Sequence, residues 1–152
     1  MGCFQTDPLT FGEALLLVRT GARSPRMMLI AVACGGALGA SLRYLTGGWV
    51  LRAMGTSFPY GTLTVNVVGS LVMGVLAAYF LTRGQGGAST WPAFAMTGVL
   101  GGFTTFSAFS LDAISLLERG KSLEAMAYIG ASVLLSILAL YIGLTATRAV
   151  LS

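Results

Sequence analysis

Four long apolar segments constrain what this chain can fold into more than any other feature of its sequence. They run over residues 28–50, 62–81, 91–117 and 125–144, with short polar linkers between them. A helix rises about 1.5 Å per residue, so each segment is long enough to cross roughly 30 Å of hydrocarbon. Short linkers make consecutive helices antiparallel neighbours in one bundle. The sequence therefore predicts an all-α integral membrane protein with four transmembrane helices.

The composition excludes several classes of protein. Charged residues make up only 9% of the chain and hydrophobic residues 55%, whereas a soluble domain carries about 25% charged residues. Apart from the three arginines within residues 1–26, the basic residues stand singly at helix ends rather than together on one face, which argues against a nucleic-acid partner. With no histidine and two cysteines, a metal site built from those ligands is also excluded.

The first 26 residues differ from the rest. Their apolar stretch at residues 14–18 is too short to span a bilayer, and the arginines that follow it do not fit a secretory signal. We interpret residues 1–26 as an N-terminal tail that is interfacial, disordered or an overcalled start, with translation beginning at Met27 or Met28. Residues 27–152 form the transmembrane domain.

Asn66 is a polar group inside the second apolar segment. Ser70 and Gly74 follow it at four-residue spacing, so the three form one small, polar stripe of a helix. Polar groups inside a bilayer are functional by default. Two interpretations stay open: a packing stripe in which the asparagine bridges helices, or an amide donor that lines a pore.

Three hydroxyl residues of the fourth segment, Tyr128, Ser132 and Ser136, are spaced i, i+4 and i+8. They stack along one face of a helix over about 12 Å. Such a ladder of neutral donors could pass a small anion along without trapping it. The alternative is that each hydroxyl bonds back to the carbonyl four residues earlier.

The third segment contains the sharpest signal, the run GGFTTFSAFS that starts at Gly101. Adjacent glycines and threonines weaken a helix, so we predict a mid-membrane break between Gly101 and Thr104. Carbonyl groups freed by a break can coordinate a cation such as Na⁺. Phe106 and Phe109 follow on one face, and the positive edges of their rings can approach an anion. The alternative is that both are ordinary core residues.

Arg43 ends a run of small residues in the first segment. Gly35 and Gly39 form a close-packing pattern there. Arg43 either extends to the membrane interface or attracts anions to a vestibule. Asp112 is the other charge inside an apolar segment, and the sequence shows no partner for it. Together with Glu118 and Glu124, it is interpreted as a solvated or capping group near a membrane end.

The charges in the loops favour neither orientation of the chain in the membrane. Arg83 and Arg148 lie on the side of the N-terminus, and Arg52, Arg119 and Lys121 lie on the opposite side. The positive-inside rule then gives two charges against three. Such a balance is what a chain that inserts in both orientations would have, although a fixed orientation with a weak signal is an alternative.

Three ordered motifs occur in the apolar segments: residues 35–44, GGALGASLRY; residues 61–70, GTLTVNVVGS; and residues 101–107, GGFTTFS. In sequence and spacing they resemble the bacterial fluoride channel family known as Fluc or CrcB. The resemblance covers about residues 28–148. It implies an antiparallel dual-topology homodimer in the cell inner membrane that passively exports fluoride from the cytoplasm to reduce its toxicity. It also implies a structural Na⁺ at the dimer interface that is not transported.

The resemblance implies roles for particular residues as well. The backbone carbonyls of Gly101 and Thr104 would hold the Na⁺. The fluoride pathway would comprise Asn66, Phe106, Phe109, Tyr128, Ser132, Ser136 and Arg43. The chain departs from the family at one point, because it has Ser107-Ala108-Phe109 where members commonly have Ser-Thr-Phe.

Other functions fit the sequence less well. A small multidrug-type transporter also has four short helices in antiparallel dimers, but its proton coupling needs a membrane carboxylate. The first segment has none, which leaves Asp112 as the candidate. A non-transporting scaffold would explain the glycines but not the predicted break. Nothing resembles a nucleophile with a base or paired catalytic carboxylates, so we expect no enzyme.

Overall fold

The computed structural model describes residues 25–83 and 89–151, and the described parts are all-helical. Residues 1–24 of the predicted tail lie outside them, and Pro25 and Arg26 already belong to the first helix. The helices are α1 (Pro25–Met54), α2 (Tyr60–Thr82), α3 (Thr90–Pro92), a π-helix (Ala93–Leu100), α4 (Gly101–Phe103), α5 (Phe106–Glu118) and α6 (Ser122–Leu151).

Four helical stretches are long and apolar enough to cross a membrane. They are Pro25–Met54, Tyr60–Thr82, Thr90–Glu118 and Ser122–Leu151. The third, hereafter the third span, combines α3, the π-helix, α4 and α5. The prediction of a multi-pass membrane protein with four transmembrane helices is thus confirmed. Each helix extends beyond its apolar run, because hydropathy marks the hydrocarbon crossing rather than the end of the helix.

The first helix packs against the first half of the third span through glycines. A Cβ on Gly35 would lie 2.5 Å from the Phe94 carbonyl oxygen, and one on Gly39 would lie 2.8 Å from the Phe103 amide nitrogen. The predicted close-packing role of these two glycines is therefore confirmed. Later residues of α1 contact later residues of the third span. The two elements therefore run parallel.

The most extensive helix pairing is between α2 and α6. Gly74 lies against the Leu140–Leu144 turn of α6, and Gly143 lies against the Leu71–Val75 turn of α2. These helices also run parallel, as expected for the second and fourth crossings of a four-span chain. The bundle thus consists of two parallel pairs, and the two non-helical residues of the third span, Thr104 and Thr105, contact α2.

The third span ends in a Schellman motif. Gly120 has a positive φ of 73°, its N–H donates to the Leu117 carbonyl, and the Lys121 N–H donates to the Leu116 carbonyl. This reciprocal pattern satisfies two carbonyls at the helix end and favours glycine at the left-handed position. Gly120 thus ends the third span, and α6 begins two residues later, at Ser122.

Candidate functional site

Two extended residues separate α4 from α5. Thr104 has φ −77° and ψ 156°, and Thr105 has φ −152° and ψ 120°. Across this interruption, within the described parts of the chain, no N–H group donates to the carbonyl oxygens of Gly101 or Thr104. The interruption therefore leaves backbone acceptors outside the helical hydrogen-bond ladder.

Asn66 joins α2 to this interruption through both ends of its amide. Its Nδ2 donates to the Thr105 carbonyl oxygen over 3.0 Å, and its Oδ1 accepts from the Thr105 N–H over 2.8 Å. Both distances are those of well-formed hydrogen bonds. The asparagine thus bridges helices and also borders the groove described below, so the two interpretations left open by the sequence are compatible.

The threonine side chains complete the turn between α4 and α5. The Thr105 hydroxyl accepts from the Ala108 N–H over 3.2 Å, which makes Thr105 the N-cap of α5. The Thr104 hydroxyl donates to the Leu100 carbonyl over 2.9 Å. The methyl group of Thr104 contacts Gly69 of α2 so closely that a Cβ there would overlap it. Gly69 thus gives Thr104 room to turn toward α2.

A groove with a volume of 390 Å³ lies between the interruption, α2 and α6. Its lining is mainly apolar, with a few polar groups from all three elements. The lining residues are Asn66, Gly69, Ser70, Met73, Thr104, Thr105, Phe106, Phe109, Ser132, Val133, Ser136, Ile137 and Leu140.

Phe106 and Phe109 form one wall of the groove. Their ring centroids are 5.4 Å apart and their planes are inclined by 44°. Phe106 is 78% exposed, whereas Phe109 packs against Tyr128, with 5.4 Å between the two ring centroids. One ring of the predicted pair is therefore anchored in the protein and the other projects from it.

The hydroxyl ladder of the fourth segment divides into two parts. The Oγ atoms of Ser132 and Ser136 are buried, border the groove and have no hydrogen-bond partner among the described residues. They do not bond back to the preceding helical turn. Tyr128 is fully buried behind Phe109 and is not part of the groove lining. Two hydroxyls of the ladder, those of Ser132 and Ser136, therefore border the groove without a partner among the described residues. Tyr128 instead packs against Phe109, which is part of the groove wall.

Asp112 acquires partners that the sequence did not reveal. Its Oδ2 accepts from the Thr62 hydroxyl over 2.6 Å and from the Tyr128 hydroxyl over 3.3 Å. The carboxylate is half-buried and borders a separate pocket near the α1–α2 loop. The interpretation of Asp112 as a solvated or capping group was wrong, because folding brings two hydroxyl donors from α2 and α6 to it.

Two predicted site residues lie away from the groove. Arg43 is half-buried on α1 and forms no hydrogen bond or ion pair with a residue of the described ranges. Gly101 is exposed at the start of α4. The structure thus brings together Asn66, Thr104, the two phenylalanines and the two serines, while Arg43, Gly101 and Tyr128 lie outside the groove lining.

Sequence reasoning missed Thr105. This residue contributes its N–H and carbonyl to Asn66 and its hydroxyl to the start of α5. A threonine directly after a predicted break and before a new helix is a typical N-cap, so that signal was present in the sequence. The bond to Asn66 was not, because the two residues are 39 positions apart.

A family model described as CrcB-like protein, Camphor Resistance (CrcB), matches residues 30–144. The chain belongs to the CrcB family. A relative from Rhizobium meliloti (strain 1021) is 53% identical over 121 residues, which is 80% of this chain and 96% of the relative. One from Cereibacter sphaeroides (strain ATCC 17029 / ATH 2.4.9) is 54% identical over 79% of this chain and 94% of the relative.

A third CrcB relative, from Caulobacter vibrioides (strain NA1000 / CB15N), is 48% identical over 80% of this chain and 96% of its own length. All three relatives are named "Fluoride-specific ion channel FluC". The resemblance predicted from the three motifs is therefore confirmed. Because these relatives are named as ion channels, the CrcB chain belongs to a non-enzymatic family, as expected.

Proposed function

We propose that this CrcB protein is a fluoride channel that passively exports fluoride from the cytoplasm across the cell inner membrane and so reduces fluoride toxicity. The observation that carries the proposal is the pair of free hydroxyls, Ser132 and Ser136, which are buried at a groove that two phenylalanine rings also border. Leaving buried donors unpaired is costly, so they indicate a ligand that accepts hydrogen bonds. The names of the relatives, "Fluoride-specific ion channel FluC", support fluoride as that ligand.

The shape of the groove supports a homodimer. Its wall includes Phe106, which is 78% exposed in a single chain. A second copy that packs there would enclose the path from lipid and keep water out of it. The near balance of loop charges favours an antiparallel, dual-topology arrangement of the two copies, in which each copy borders one of two pores.

The interruption between α4 and α5 fits a structural Na⁺ at the dimer interface. The carbonyl oxygens of Gly101 and Thr104 lie outside the helical ladder, and sodium is coordinated by such unwound carbonyls. Two oxygens from one chain make an incomplete set, which a second copy would complete. When bound, the ion would neutralise the carbonyl dipoles of a mid-membrane break and hold the two copies together; it is not transported.

Each part of the groove has a role in the proposed mechanism. A free amide N–H of Asn66, the edges of the phenylalanine rings and the hydroxyls of Ser132 and Ser136 replace successive parts of the hydration shell of the anion. Neutral donors bind an anion weakly enough to release it to the next site. Arg43 raises the local anion concentration, and Tyr128 acts from behind Phe109 by holding its ring.

The test is fluoride efflux from liposomes that contain the purified protein, followed with a fluoride electrode and with chloride as the control anion. We expect rapid fluoride efflux and no chloride efflux. A folded protein that releases no fluoride in the presence of Na⁺ would overturn the proposal. That result would favour one of the two alternative functions: a small multidrug-type transporter, in which Asp112 would have to be the proton-coupling carboxylate, or a non-transporting scaffold.

Asn66→Asp provides a second test. The new carboxylate places a negative charge at the groove and repels fluoride, so we expect efflux to be abolished. Ser41→Ala is the matched control, because the Ser41 hydroxyl bonds only within its own helix, on α1. Full efflux through Asn66→Asp would refute a role for Asn66 in the pathway.

A further inference from the structure

Asn66 is the only asparagine in the sequence, and both ends of its amide bind one residue. A backbone N–H can only donate a hydrogen bond and a carbonyl can only accept one. The amide oxygen of Asn66 must therefore face the Thr105 N–H, and its NH₂ group must face the Thr105 carbonyl. In a continuous helix, the Thr105 N–H would donate to the carbonyl four residues earlier, that of Gly101. Here Asn66 Oδ1 receives that N–H instead.

We infer that Asn66 is a positioning residue that keeps the third span open at Thr104 and Thr105. Its Oδ1 takes the N–H that would otherwise close the helix, and this releases the Gly101 carbonyl. Its Nδ2 binds the Thr105 carbonyl, which lies outside the ladder as well. The same amide therefore binds both backbone polar groups of Thr105 and determines that Gly101 has an unpaired oxygen.

The remaining donor of the amide has a separate role. An asparagine side chain has two N–H groups and one oxygen, and Thr105 occupies one N–H and the oxygen. One N–H remains, on a residue that borders the groove. This second part of the inference rests on the proposed channel function, whereas the positioning of Thr105 does not.

Because the asparagine is unique, NMR can test both parts on the native sequence. Protein labelled with ¹⁵N in the asparagine side chain gives one pair of side-chain N–H signals. We expect one N–H to exchange with deuterium about tenfold more slowly than the other, the factor that one hydrogen bond of typical net strength provides. Added fluoride should shift mainly the NMR signal of the N–H that exchanges faster, and added chloride is the control. Equal exchange of the two would overturn the positioning role.

The two parts can fail separately. If one N–H is protected but fluoride shifts neither signal, Asn66 positions Thr105 without contacting the anion, and liposome efflux then decides whether the channel function stands. Asn66→Ala should speed exchange of the Thr105 backbone amide about tenfold. Ser70→Ala should not, because Ser70 borders the same groove one turn further on and forms no bond to Thr105. An unchanged Thr105 amide in Asn66→Ala would contradict the inference.

Discussion

Gly74 of α2 and Gly143 of α6 allow the two helices to touch backbone to backbone. A Cβ built on Gly74 would collide with the Leu140 carbonyl oxygen, and one built on Gly143 would collide with the Leu71 carbonyl oxygen. Neither obstacle is the mobile end of a side chain. This mutual contact holds the two helices that carry Asn66 and the free serine hydroxyls at a fixed separation.

We therefore expect Gly143→Ala to destabilise the fold. The added methyl group would have to displace a helix backbone, and overpacking of this kind costs about 1–3 kcal/mol. The measurement is the midpoint of thermal unfolding in detergent, read by size-exclusion chromatography after heating.

Gly130→Ala is the matched control on the same helix. Nothing lies within 4 Å of a Cβ at Gly130, and alanine favours a helix over glycine by about 1 kcal/mol. The control should be as stable as the wild type or more so. Equal midpoints for the two variants would show that the α2–α6 contact does not limit stability.

Tyr128→Phe removes the hydroxyl that donates to Asp112 but keeps the ring that supports Phe109. A hydrogen bond to a charged acceptor contributes about 1.5–3 kcal/mol, so the unfolding midpoint should fall. Tyr141→Phe is the control, since Tyr141 is on the same helix and 63% exposed. If Tyr128→Phe unfolds at the same midpoint temperature as the wild type, the hydrogen bond from the Thr62 hydroxyl is enough for the Asp112 carboxylate.

Thr105→Val removes the N-cap of α5 while preserving the shape of the side chain. The loss of a threonine cap costs about 1 kcal/mol, and we expect a lower midpoint with fraying of the first turn of α5. Circular dichroism and hydrogen exchange over residues 105–109 measure the two effects. Thr97→Val is the control, because Thr97 is exposed in the π-helix and caps nothing; a similar change there would argue against a specific cap.

Ser132→Ala separates conduction from stability. The Ser132 hydroxyl has no partner among the described residues, so its removal breaks no hydrogen bond and should leave the unfolding midpoint unchanged. Fluoride would lose one donor, and we expect efflux to fall about tenfold, the equivalent of one typical hydrogen bond. Ser110→Ala is the control, since its hydroxyl bonds within its own helix. Unchanged efflux in Ser132→Ala would remove this hydroxyl from the pathway.

Ala108→Thr addresses the departure from the family motif. The substitution restores a hydroxyl between Ser107 and Phe109, and we expect fluoride efflux to increase if that hydroxyl contributes to the path. The same liposome assay measures it, with Ala108→Val as a control of equal shape without the hydroxyl. An equal increase in both variants would assign the effect to side-chain volume.

The sequence by itself determined the four crossings, because a run of apolar residues long enough to span hydrocarbon has few other stable solutions. It also predicted the close-packing role of Gly35 and Gly39, since that role depends on small residues at helical spacing. The family resemblance named six of the thirteen residues that border the groove: Asn66, Thr104, Phe106, Phe109, Ser132 and Ser136.

Only the tertiary structure decided which helices pair and which polar groups meet. Short linkers predict antiparallel neighbours, but the closest contacts join the parallel pairs, because Gly74 and Gly143 permit an approach that hydropathy does not record. Asn66 reaches Thr105 across 39 positions, and Asp112 meets Thr62 across 50. Such bonds depend on the relative placement of whole helices, and this placement is absent from any local pattern in one sequence.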